Sequence, residues 1–264
     1  MRGFSFDVQF HWGFQVRVAG MSKSAPSFLF PPPSTVLGAI AEPYATRRGF
    51  SEARVSETLS LMSRATLCLT YKSLNAIPLS FQDVNRVIAI RTSSGVSYPS
   101  ARNVYGSFDA PARGKTTLSP IGAGEPATLR FLLVVSDSLD LRVEDVWKVK
   151  RIGSKESLVT VSRVVEAEPE VLRGEVETDY SLPLDQGVEV VDGPGSYVDQ
   201  FFVPVEGGAL TSSPASLYLE SKTKRYRIWL PKGGEGEKAK VRLSGGYVGY
   251  RVAGEVAVGV EAKA

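Results

Sequence analysis

His11 is the only histidine in the chain and Cys68 the only cysteine. A Ser-His-Asp or Cys-His enzyme must therefore use His11, and a mechanism needing two histidines fails. One cysteine rules out an internal disulfide and any cysteine-based zinc site within one chain. There is no GxxxxGK[ST] sequence, and no glycine cluster falls between a strand and a helix in GxGxxG spacing, so nucleotide-cofactor binding has no support. Glu166, Glu168 and Glu170 alternate with Ala167 and Pro169; they read as one solvated strand face that would hold a cation only weakly. Neither a metal, a cofactor nor a small-molecule substrate is expected.

The side chains that remain suit a polyanion. Residues 91–117 carry Arg91, Arg102, Arg113 and Lys115 against Asp109, interleaved with Tyr98, Tyr105 and Phe108. Charges track phosphates and rings stack on bases, at about 1–3 kcal/mol each. A solvated loop with its aromatics tucked inward is the competing reading. Ser22 and Lys23 lie in a loop before a helix expected to start at Ser34, where free N–H groups suit a phosphate. Arg17 approaches from the polar face of the preceding strand. A third group, Lys148, Arg151 and Lys155, borders the turn Gly153-Ser-Lys-Glu-Ser157, whose glycine permits a left-handed backbone. His11 shares a strand face with Gln9 and Arg17; it either meets a base or is satisfied beneath a loop.

Charge is also uneven along the chain. Glu166 to Asp192 holds nine acidic residues and one basic residue, whereas Lys222 to Arg242 holds eight basic residues and two acidic ones. Such blocks mark either a polyanionic partner or ordinary solvated strands. The net charge of +3 decides nothing by itself.

The elements that must position these groups follow from periodicity. Even positions from Phe4 to Val18 are apolar and the odd ones mostly polar, which predicts one strand over 3–19 with a buried and a polar face. Pro31, Pro32 and Pro33 force an extended approach, and Ser34 or Thr35 then caps a helix over 34–47, broken or ended near Pro43. Helical turns over 51–63, strands over 66–71 and 128–136, a helix over 143–152 and a strand over 158–165 follow. Residues 76–91 read as a loop with a strand ending in VIAIR, and 92–127 as a long insertion outside the core. The helix over 143–152 directs Val143, Val146, Trp147 and Lys150 along one stripe and stops at Gly153. Beyond residue 170, helical periodicity gives way to short strands and Gly-Pro turns. The expected fold is α+β: a ferredoxin-like domain over 1–170 with an insertion at about 92–127, followed by a β-rich part over 171–264. At 264 residues and 43% hydrophobic content, the chain can bury a substantial core. It has no run long enough to span a membrane and no secretory start, so a cytoplasmic protein is expected.

The His11-Trp-Gly-Phe14 strand, the Pro31-Pro-Pro-Ser-Thr35 entry to a helix and the Gly153–Ser157 turn resemble the CRISPR-associated RAMP proteins. Among these the chain looks most like the Cas-five family of archaeal type I-A Cascade complexes. That resemblance implies a structural subunit that caps the 5′ handle of the CRISPR RNA. It also implies contacts with the Cascade backbone subunit and the large subunit that inspects target DNA, and a thumb-like insertion at 92–127. A type I-C relative cuts precursor RNA with side chains that include a histidine. This chain offers only His11 and no Lys-His pair, so no cleavage is expected. A metal-independent endoribonuclease and a backbone-type RAMP subunit remain the alternatives.

Overall fold

The alternating N-terminus forms β1 (Arg2–Phe10), whose even positions Phe4, Phe6, Val8 and Phe10 are buried. A computed structural model describes residues 1–18, 25–82, 84–87, 90–92, 95–97, 108–111, 114–122, 124–231 and 237–262. β1 stops at Phe10, and after a bend at His11 and Trp12 comes β2 (Gly13–Phe14), so the single strand expected over 3–19 is broken in two. α1 (Pro33–Arg47) begins on Pro32 as its N-cap. Neither Ser34 nor Thr35 caps it, and Pro43 sits within the helix without ending it. A 3-10 turn at Glu52–Arg54 leads to α2 (Val55–Ala65) and then β3 (Thr66–Ser73).

The stretch expected as a loop after residue 76 is β4 (Ala76–Phe81). Its Pro78 is tolerated because β4 is an outer strand, where a missing N–H donor costs little. β5 (Val84–Val87) pairs with β8 (Phe108–Pro111), and β6 (Ile90–Thr92) with β7 (Gly95–Ser97). β9 (Lys115–Pro120) then pairs with both β2 and β4, so the stretch 92–127 is not wholly an excursion from the body. β10 (Ala127–Val135), α3 (Val143–Trp147) and β11 (Val159–Ala167) follow. α3 is shorter than the helix expected over 143–152, and Trp147 is exposed instead of lying on a core stripe.

The remainder is β12 (Glu170–Leu172), β13 (Glu175–Thr178), β14 (Leu182–Leu184), β15 (Val188–Asp192) and β16 (Tyr197–Phe202). A short helix that periodicity did not reveal, α4 (Pro214–Leu219), is capped by the Ser213 hydroxyl. β17 (Lys224–Trp229), β18 (Ala239–Leu243), β19 (Tyr247–Val252) and β20 (Glu255–Val260) close the described chain. The molecule is a mixed α/β structure built mostly from antiparallel sheets. No helix among the described residues is long and apolar enough to cross a membrane.

The central sheet has the order β11-β1-β10-β3, with every ladder antiparallel. One face carries Phe4, Phe6, Phe131 and Leu133 against Leu37 and Ile40 of α1, Met62 of α2 and Val146 of α3. The alternation of β1 predicts a polar, solvated opposite face. It is covered instead: Ser5 and Asp7 are buried, and Leu132, Val134 and Cys68 pack on Tyr180, Val248, Tyr250 and Val252.

Asp7 survives there because Arg130 donates two bonds to it, of 2.6 and 2.8 Å, and a third of 2.8 Å to Glu255. Lys72 bonds Glu255 and Asp179 at 2.7 and 2.8 Å. Carboxylates buried to this degree need such partners. At the surface, residues of the two charge blocks noted in the sequence also face each other. β18 lies between β13 and β15, so Lys240 meets Glu175 at 2.8 Å and Arg242 meets Glu189 at 2.8 Å.

Candidate nucleic-acid interface

The bend at His11 and Trp12 organises the surface that holds most of the candidate residues. Gly13 has φ +146, and a Cβ there would lie 2.0 Å from the Thr116 carbonyl, so only glycine lets β2 pair with β9. Leu118 N–H then bonds the Trp12 carbonyl at 3.0 Å. On the other side, the Gly153–Ser157 turn is docked on the same segment. Ser154 N–H bonds the Gln15 carbonyl at 3.1 Å, Gln15 N–H bonds Ser157 Oγ at 3.1 Å, and Trp12 Nε1 donates to the Glu156 carbonyl at 2.7 Å. Gly153, at φ +116, supplies the left-handed corner. Two sequence motifs about 140 residues apart thus form one structural unit.

Around this unit lie the cations. Arg17 is exposed and bridges Ser27 across a small hairpin in which Phe28 N–H bonds the Val16 carbonyl at 3.1 Å. Gly114 N–H bonds the Ala25 carbonyl at 3.0 Å, which places Lys115 at the foot of the same hairpin. Lys155 is exposed on the docked turn. The Glu156 carboxyl is held below its ordinary range by its own backbone N–H and the Ser154 hydroxyl, then by the charges of Lys155 and Lys115. The charges of both lysines thus act on the same carboxylate. His11 is exposed, with Nε2 2.9 Å from Thr160 Oγ1.

The comparisons with known proteins are consistent. No family model matches the chain. The structure superposes on the crystal structure of a CRISPR protein from Archaeoglobus fulgidus with TM-score 0.73 and 33% identity, covering 99% of this chain and 100% of the other. CRISPR-associated protein Cas5 2 of Saccharolobus solfataricus is 26% identical over 198 residues, 70% of this chain and 71% of that protein. CRISPR system aCascade subunit Cas5 1 of the same organism is 24% identical over 181 residues, covering 66% and 68%.

The chain belongs to the Cas5 family. In this Cas5 chain the expected site residues separate into three groups. Arg17, Lys115 and Lys155 come together as described. Lys148 is exposed at the C-cap of α3, while Arg151 is turned away and pairs with Glu42 of α1 at 3.2 Å, beside Lys150 at 2.9 Å. The Lys150 ammonium is the main cause that lowers the Glu42 carboxyl.

Ser34 is a correction. It is buried, and the lead-in to α1 packs on the C-terminal half: Phe30 N–H bonds Gln200 Oε1 at 2.9 Å, and Phe28 lies against Phe202. That helix start therefore does not present an open anion site. Ser22, Lys23, Arg102 and Arg113 lie outside the described residues.

Sequence reasoning missed a row of three exposed side chains on β4: Ile77, Leu79 and Phe81 at 37, 57 and 45% exposure. They share one sheet face with Ser119, Thr117 and Lys115 of β9, directly opposite them. An apolar row beside a lysine is a surface for bases or for a partner chain. Its period-2 signal was present in the sequence, but Pro78 disguised it as a loop.

Proposed function

We propose that the protein is a non-catalytic RNA-binding subunit of a type I-A Cascade interference complex, acting in the cytoplasm. It caps the 5′ handle of the CRISPR RNA and contacts the backbone and large subunits. The observation that carries this reading is the docking of the Gly153–Ser157 turn on His11–Gln15, which gathers Arg17, Lys115 and Lys155 beside the apolar row of β4. Cations for phosphates next to the exposed Phe81 ring and its aliphatic neighbours suit a single RNA strand. Family membership supports the CRISPR setting, and the name of the aCascade relative supports assembly with other Cascade subunits. The central sheet is read as ferredoxin-like: the order β11-β1-β10-β3, with helices joining β1 to β3 and β10 to β11, supports that topology.

The absence of cleavage is part of the proposal. A general base at His11 would need a lysine or carboxylate poised with it, and its ring engages a threonine hydroxyl. The test is expression with the neighbouring gene products, sequencing of the RNA that copurifies, and a denaturing gel of precursor RNA incubated with the pure chain. Enrichment of handle-bearing RNA with no cleavage is expected. Site-specific cleavage abolished by His11→Ala would replace this reading with the endoribonuclease one.

A further inference from the structure

The C-terminal half carries a second surface of interleaved rings and cations, on the face of β16 opposite to the one that meets Phe28 and Phe30. β16 is an outer strand of the β14-β17-β16 sheet. Phe202 of β16, with Tyr226 and Ile228 of β17, packs into the large core, and Val198 packs against it. The alternate positions Tyr197, Asp199 and Phe201 therefore face the other way, opposite Trp229, Arg227 and Arg225. Trp229 is covered, but Phe201 is 60% exposed and Tyr197 44% exposed.

This face is built, with its parts fixed in place. Arg227 donates to both carboxylate oxygens of Asp199, at 2.9 and 3.0 Å, which locks the guanidinium plane. That guanidinium lies 3.8 Å over one face of the Tyr197 ring, with the Trp229 ring edge-on to Tyr197 at 5.9 Å, and Tyr197 stays exposed, so a further flat group has the rest of that ring to stack on. Asp199 is thereby neutralised by Arg227. Arg225 stands 4.0 Å from the same carboxylate with its side chain 53% exposed, so the face keeps an excess of positive charge next to Phe201. Tyr197 and Phe201 are about 13 Å apart along the strand. Sheets that stack two or three bases use rings on one face in this fashion.

We propose that this face binds single-stranded nucleic acid, with bases stacked on Phe201 and on the Tyr197–Arg227 pair and phosphate held by Arg225. It would act as a second site, separate from the guide site. A protein chain is the less fitting occupant. The excess charge is positive, and the exposed rings stand on the sheet face, away from the hydrogen-bonding edge that an added strand would use.

The test is photo-crosslinking of the full chain to oligo(rU) and to oligo(dT) carrying 5-iodouracil, together with fluorescence anisotropy of the same oligonucleotides. Adducts on Tyr197 or Phe201 are expected. Tyr197→Ala with Phe201→Ala should remove them and weaken binding about tenfold. Adducts with both oligonucleotides would mark a site indifferent to the sugar, and adducts with oligo(rU) alone an RNA site. Arg225→Glu keeps the rings, so it serves even if the double variant folds poorly; the salt slope should fall by about one. Lys115→Glu with Lys155→Glu should leave the β16 adducts in place, which separates this proposal from the guide site. The proposal is overturned if β16 yields no adducts, if Arg225→Glu leaves the salt slope unchanged, or if the ring variants alter only self-association in sedimentation.

Discussion

Lys115 on β9 and Lys155 on the docked turn both act through their charge on the Glu156 carboxylate. Neither ammonium is buried, so reversing both charges costs the fold little, while a phosphate placed there would lose two contacts. Lys115→Glu with Lys155→Glu should weaken RNA binding at least about tenfold and make its salt dependence shallower, with the melting temperature nearly unchanged. Anisotropy across a salt series checks this; parent-like affinity and slope would remove both residues from the interface. Another residue-scale prediction concerns stability. Asp185 accepts from Lys224 at 2.5 Å and from Tyr247 at 2.7 Å, and its carboxyl is lowered to about 2, chiefly by the Lys224 ammonium. A folded pKa below the unfolded one stabilises above the unfolded value, and that gain is lost as pH falls through the folded value. Asp185→Asn should therefore cost about 1 kcal/mol at neutral pH, a figure discounted for a carboxylate a third exposed. The gap should shrink between about pH 4 and pH 2. Urea midpoints at several pH values test this, and a gap independent of pH would mean that the amide's shape is at fault.

At the scale of elements, legibility followed locality. β1, α1, β3, β10 and β11 were readable because each declares itself in its own residues: alternation, a proline-led entry, or an unbroken apolar run. The broken strand after Phe10 was not, because the cause lies at Thr116, whose carbonyl excludes any side chain at Gly13. Nor was the covering of the polar face of β1. Asp7 reads as solvent-facing until Arg130, itself bonded to Glu255, is brought to it from a distant position. Two glycines make the contrast measurable. Gly38 lies inside α1, and a methyl added there would meet nothing within 4 Å, so Gly38→Ala should stabilise the protein by about 0.5–1 kcal/mol through helix propensity. Gly13→Ala must move β9, destabilising by about 2–4 kcal/mol and displacing Lys115. Paired urea titrations and RNA binding of the two variants check this. Equal stability changes would refute the view that β2–β9 pairing sets the position of Lys115.

At the scale of the molecule, the C-terminal half completes the N-terminal one. Phe202, Tyr226 and Ile228 enter the large core on the helix side of the central sheet, while Tyr180, Val248, Tyr250 and Val252 seal its other face. Arg130 and Lys72 find in Glu255 and Asp179 carboxylates that the first 170 residues do not supply. Residues 1–170 alone would expose Leu132, Val134 and Cys68 to water and take Asp179 and Glu255 away from Lys72. Burial of such side chains is worth roughly 1.5–3 kcal/mol each for the larger ones, against a total stability of only about 5–15 kcal/mol. The fragment should therefore bind a hydrophobic dye and melt without a cooperative transition, whereas the full chain should unfold in one step that includes both halves. Calorimetry of the two chains, with dye binding beside it, decides the matter. A sharp transition and no dye binding for residues 1–170 would show that the first half folds by itself, and that the charge network across the sheet is a later ornament of an already stable unit.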